Sequence, residues 1–181
     1  MTGKHIEPDD KIIGISSSGI HSNGYTLARK IIKKMNLKYT DNFPGEIYKD
    51  KTIGEIFLTP TRIYVKEIVN LLKNIKPKGL SHITGGGLKN LKRLKKDVKY
   101  VINDPFEPQD IFKFLQKNGN VSNKEMYQTF NMGMGFAVIV SEEKAMEATR
   151  TLKKYSQGKV KKVGEITEGK GVEFQKLDLK Y

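Results

Sequence analysis

The chain has 181 residues, of which 37% are hydrophobic and 29% charged, a balance that suits one folded domain and excludes a disordered polyelectrolyte. With no Cys it has no disulfide, thiolate metal site or cysteine nucleophile, and His5, His21 and His82 are too scattered in sequence for a zinc-binding pair. The 33 Lys and Arg against 20 Asp and Glu leave a net charge of +13, which fits either a lysine-rich solvated surface or attraction to an anionic partner.

Lys11 to Ser16 reads as a short buried strand, and Gly24 to Met35 as a helix with Leu27, Ala28, Ile31, Ile32 and Met35 on one face. Lys38 to Pro60 is turn-rich, broken by Pro44, Gly45 and Gly54, and is expected to be the longest irregular stretch. Arg62 to Asn74 predicts a helix buried on a broad face that includes Val65, Ile68, Val69, Leu71 and Leu72. Gly79 to Thr84 predicts a strand, followed past Gly87 by a short helix marked by Leu88, Leu91 and Leu94. A strand near Val98 to Ile102 and a helix from about Pro108 to Lys117 come next, the helix closed by Asn118 and Gly119. Gly135 to Val140 reads as a buried strand, Glu142 to Ser156 as a helix, and Lys159 to Thr167 and Val172 to Leu177 as terminal strands joined by a Gly-x-Gly turn. The alternation predicts an α/β (α+β) fold, a single layered domain with a mixed β-sheet covered by helices. No apolar run approaches the ~20 residues of a membrane span, and Met1 to Asp10 lacks the apolar stretch of a secretory signal, so a cytoplasmic location is expected.

Three segments carry candidate chemistry. Ser16 to Gly24 joins a strand to a helix start, where unpaired N–H groups, small hydroxyls and glycines form a cradle for an oxyanion, or where Ser22 or Asn23 simply caps the helix. His21 adds a group that titrates near neutral pH and is taken for an exposed loop residue, in contrast to His82 on its strand. Gly79 to Leu88 repeats the strand, glycine loop and helix order, and Gly85-Gly86-Gly87 serves either a ligand or a tight turn. Thr129 to Phe136 places Gly133 and Gly135 at the head of a strand, as a bulge or as a close ligand approach with Asn131 offering an amide. The four Arg and the dispersed Lys doublets form no basic stripe interleaved with aromatics, so nucleic-acid binding is not expected.

Together these segments resemble the aminoimidazole ribonucleotide synthetase (phosphoribosylformylglycinamidine cyclo-ligase) family. The resemblance rests on Ser17-Ser18-Gly19-Ile20-His21-Ser22-Asn23-Gly24-Tyr25, Leu58-Thr59-Pro60-Thr61-Arg62-Ile63-Tyr64-Val65 and His82-Ile83-Thr84-Gly85-Gly86-Gly87. It continues through Gly119 to Ser122, Glu125 to Gly135 and Gly164-Glu165-Ile166, nearly the whole chain. The resemblance implies the C-terminal, substrate-binding domain of an ATP-dependent ligase of purine biosynthesis, with residues 1–181 as a single domain and the amino-terminal ATP-binding domain absent. It implies Ser17, Ser18, Gly19, Ser22, Asn23 and Gly24 as substrate-binding residues, Thr84, Gly85, Gly86 and Gly87 as a second wall of the cleft, Asn131 and Gly133 as its floor, and His21 as a phosphate contact or proton-transfer group. ATP as co-substrate and Mg2+ are expected mainly on the absent domain, no metal site is expected here, and a homodimer is expected for the complete enzyme. This chain alone is expected to be inactive. The alternatives are a related two-domain ATP-dependent synthetase or kinase, and a non-catalytic basic module that binds nucleic acid or scaffolds an assembly.

Overall fold

A computed structural model describes residues 3–44 and 48–181, so Gly45, one of the expected breakers, lies outside the described residues. The strands are β1 (Lys11–Ser16), β2 (Gly79–His82), β3 (Lys99–Ile102), β4 (Met134–Val140), β5 (Val160–Thr167), β6 (Gly171–Phe174) and β7 (Leu179–Lys180). The helices are α1 (Tyr25–Lys34), α2 (Ile53–Phe57), α3 (Val65–Leu72), α4 (Asp110–Gly119), α5 (Asn123–Thr129) and α6 (Ala145–Tyr155).

The strands form one seven-stranded sheet in the order β2-β4-β1-β5-β3-β6-β7, antiparallel throughout except for the parallel pair β3 and β6. The mixed, helix-covered sheet expected from the sequence is present. β1 is central, paired with β4 and β5, and its alternation sends Ile12 to one core and Ile13 and Ile15 to another. Each of these isoleucines is fully buried and contributes about 1.5–3 kcal/mol by leaving water. On the first face α1, α2, α4, α5 and the 3-10 helix Gly87–Arg93 pack over the sheet, and on the second α3 and α6 do.

Several expectations needed correction. The Gly169-Lys170-Gly171 turn does not close a hairpin, because β3 lies between β5 and β6. The stretch from Lys38 to Pro60 is not wholly irregular: Thr52 accepts from the Glu55 N–H while Glu55 accepts from the Thr52 N–H, a capping box that starts α2. Ser122 likewise accepts from the Glu125 N–H and starts α5, for which no helix was expected. α3 is buried on a narrower face than its apolar content suggested. Leu71 is buried, but Val65, Val69 and Leu72 are 64%, 50% and 41% exposed, while Glu67 is only 3% exposed.

Candidate functional site

The site begins where β1 ends. The register of β1 against β4 shifts between Ile15 and Ser16, and this bulge turns the chain out of the sheet into the Ser17–Gly24 loop. The Ser17 N–H donates to the Gly133 carbonyl (2.9 Å), and Gln109 Nε2 donates to the carbonyl (2.9 Å) and Oγ (3.1 Å) of Ser17. Asn131, 4% exposed, spends its amide on the loop: Nδ2 donates to the Gly19 carbonyl at 2.8 Å, and Oδ1 accepts from the Gly133 N–H at 3.0 Å. The third segment therefore meets the first as its internal buckle, with Asn131 and Gly133 fixing the loop's shape from beneath.

The second segment meets the first from the side. Gly85 stands so close to Asn23 that a methyl group on it would lie 2.6 Å from Asn23 Oδ1. Thr84 to Gly87 is the tight turn that was one of the two readings: the Gly87 N–H donates to the Thr84 carbonyl (2.9 Å), and Asn90 Nδ2 reaches Thr84 Oγ1 (3.3 Å) and the Gly85 carbonyl (3.4 Å). Neither Ser22 nor Asn23 caps α1. The cap is Gly24, left-handed at φ 83°, with the Phe130 ring filling the space a side chain would need. The first turn of α1 has no side-chain cap and no acidic residue, so its positive end is uncompensated.

His21 is a buried residue, 5% exposed, and not the exposed one the sequence suggested; the His82 ring at the end of β2 is the more exposed of the two, 6.2 Å away. The reason lies in the backbone, since a left-handed φ of 62° folds His21 back under its own loop. The Ser18 N–H donates to His21 Nε2 at 3.1 Å, which makes Nε2 the lone-pair nitrogen and places the proton on Nδ1. Burial, with smaller contributions from His82 and Arg62, lowers the His21 pKa from its ordinary 6.5 to about 4. His21 is thus a neutral hydrogen-bond donor at pH 7 rather than a group titrating there. Replacing it with Ala would strain the backbone and open a cavity, so a stability effect is expected as well as any functional one.

Sequence reasoning assigned no role to Arg62, Tyr64 or Gln109. Tyr64 donates to the Ser16 carbonyl (3.3 Å), packs edge-on against His82, and is held protonated by burial. Among the described residues, three buried side-chain atoms have no partner, His21 Nδ1, Arg62 Nε and Gln109 Oε1. They surround one loop, for Gln109 binds Ser17 and a methyl group on Gly158 would lie within 3.0 Å of both Ser16 Oγ and Arg62 Cζ. Unpaired buried polar atoms are uncommon in folded proteins and mark a place built for another group. A cleft of about 580 Å³ opens beside one of the three, Arg62, and is lined also by Ser18, Thr61, Lys66, Glu67 and Tyr155 among others; His21 and Gln109 do not line it, and of the predicted site residues only Ser18 does. The signal for Arg62 and Tyr64 was their place in the Leu58–Val65 run; Gln109 had none.

The sequence matches the family described as "AIR synthase related protein, C-terminal domain" over residues 7–176. It is similar to the phosphoribosylformylglycinamidine cyclo-ligase of Methanopyrus kandleri, 48% identical over 172 residues that cover 95% of this chain and 48% of that protein. The enzyme of the same name from Thermoplasma volcanium is 47% identical over 179 residues, covering 99% of this chain and 51% of that protein. The chain therefore spans about half the length of these curated relatives. Among solved structures, thiamine-monophosphate kinase from Stenotrophomonas maltophilia shares the fold with a TM-score of 0.64 at 13% identity, over 99% of this chain and 54% of that one.

Proposed function

The chain belongs to the AIR synthase related protein family as its C-terminal domain, and on that premise we propose that it is the substrate-holding half of an ATP-dependent cyclo-ligase of purine biosynthesis. The substrate is formylglycinamidine ribonucleotide. Its formyl oxygen takes the γ-phosphoryl group of ATP, the amidine-side nitrogen attacks the same carbon, and the oxygen leaves as phosphate to close the imidazole ring of aminoimidazole ribonucleotide. The observation that carries this reading is the meeting of all three segments at one loop, with Asn131 under Gly19 and Asn23 against Gly85.

In this reading Ser17, Ser18, Gly19, Ser22, Asn23 and Gly24 shape a cradle whose donors are the loop and the uncapped first turn of α1. Thr84 to Gly87 form the adjoining wall, and Asn131 and Gly133 hold the floor without touching substrate. His21, neutral and buried, holds the shape of the loop by accepting the Ser18 N–H at Nε2. Catalysis by such residues is positioning and charge stabilisation. Among the described residues no three His, Asp or Glu side chains converge as cation ligands. The described residues do not fit Mg2+, whose place with ATP in this reading is the amino-terminal half of the complete enzyme, a homodimer of the cytoplasm. No helix among the described residues is long and apolar enough to cross a membrane.

The test is reconstitution. This chain, alone and mixed with the cognate amino-terminal half, is assayed for ADP release that depends on formylglycinamidine ribonucleotide. No turnover alone and turnover on mixing is the expected result. Cyclisation by this chain alone, with a Ser18→Ala control excluding contamination, overturns the half-enzyme reading, as does a mixture of two folded halves that stays inactive.

A further inference from the structure

The run from Pro60 to Tyr64 is tied to the loop, since Ser18 Oγ donates to the Pro60 carbonyl at 2.7 Å. It carries Arg62 into the wall of the 580 Å³ cleft. Other partly buried cations have partners: Lys95 Nζ donates to the Ile6 carbonyl, Lys89 Nζ lies over the Tyr181 ring, and two more are held by carboxylates. Lys11 lies between Glu142 and Glu165, and Lys78 is paired with both Glu7 and Asp10. Arg62 has no carboxylate partner among the described residues, and its buried Nε has no acceptor. The guanidinium is admitted by Gly158, where a methyl group would lie 3.0 Å from Cζ and 3.1 Å from Nη1. A half-buried guanidinium is costly without an anion, and its planar fork of N–H donors matches the oxygens of a phosphate. Lys66 lines the same cleft, with the hydroxyls of Ser18, Thr61 and Tyr155; Glu67 is the one carboxylate among the lining residues, and it forms no ion pair with Arg62.

We propose that this cleft is a phosphate subsite in which Arg62 and Lys66 take the phosphate of a ribose phosphate monoester. It is distinct from the anion-accepting first turn of α1, and it places two phosphate-holding positions on either flank of the Ser17–Gly24 loop. The inference rests on the reading of the chain as a substrate-holding domain, and it adds Arg62 and Lys66 as the residues that select a phosphorylated over an unphosphorylated ribose.

The probe is ribose 5-phosphate, titrated into this chain while the Arg62 Nε–H resonance is followed by NMR and affinity is measured by calorimetry, with ribose and pyrophosphate as comparisons. The Arg62 resonance shifts with ribose 5-phosphate and not with ribose. Arg62→Gln weakens binding by about tenfold or more, the usual weight of a hydrogen bond to a charged group, and Arg62→Lys weakens it less. If Arg62→Gln binds as the native chain does and Asn23→Ala alone weakens binding, the inference falls while the substrate-holding reading stands. If no variant and no native chain binds ribose 5-phosphate saturably, both fall. An Arg62-dependent response to pyrophosphate alone overturns the monoester assignment.

Discussion

His21 carries the most information of any single residue because two independent features of its surroundings make it neutral. Its Nε2 is occupied by the Ser18 N–H, and burial lowers its pKa to about 4. In the unfolded chain the imidazole protonates near 6.5. As pH falls from about 6.5 to about 4 the unfolded state binds a proton that the folded state does not, so the stability contributed by neutral His21 is complete above that window and lost through it. The loss is on the order of 3 kcal/mol at most. His21→Asn keeps a residue that tolerates the left-handed backbone and removes the titration. Urea unfolding at pH 7 and pH 4.5 is expected to show the native chain losing about 2 kcal/mol more than the variant. Equal losses in the two proteins would remove the burial account. His21 was legible in the sequence as a site residue, but its burial was not, because a single left-handed φ of 62° leaves no mark in composition or periodicity. Asn131 shows the same limit: its residue type allowed a ligand contact or a structural one, and only its position under Gly19 chose.

At the scale of elements, the α1 entry is where local sequence and tertiary packing act together. Gly24 combines a left-handed cap with contact to Phe130, so Gly24→Ala is expected to lower stability by about 1–3 kcal/mol. The same change should weaken ribose 5-phosphate binding by disturbing the first turn, read from the thermal midpoint and the titration together. A variant as stable as the native chain would show that the loop entry adapts freely. The apolar face of α1 was legible, with Ala28, Ile31 and Ile32 buried as its spacing requires. α2 and α5 were legible in principle too, since Thr52-x-x-Glu55 and Ser122-x-x-Glu125 each precede apolar residues, but both helices are short and hide among turn residues. The exposure of Val65, Val69 and Leu72 on α3 was not legible, because periodicity reports which residues share a face and not what covers it.

For the whole molecule, the +13 charge acts on ligand association more than on the fold. Binding of ribose 5-phosphate is expected to weaken several-fold between ~20 mM and ~300 mM salt as the Debye length shortens. Calorimetry at the two concentrations reads this directly, and a salt-independent affinity would confine the effect to short-range contacts. The sequence by itself determined the class of fold, the strands β1 to β6 and most helices, and the family, because hydrophobic period and the wording of the three segments are local properties of the chain. The tertiary structure decided the strand order, which puts β3 between β5 and β6, and the burial of His21 beside a more exposed His82. It also decided that Arg62 lies beside Ser18 without a carboxylate partner among the described residues. Each of these depends on contacts between residues far apart in sequence, such as Ser18 with Pro60 and Asn131 with Gly19, and their energies belong to pairs that no local pattern encodes.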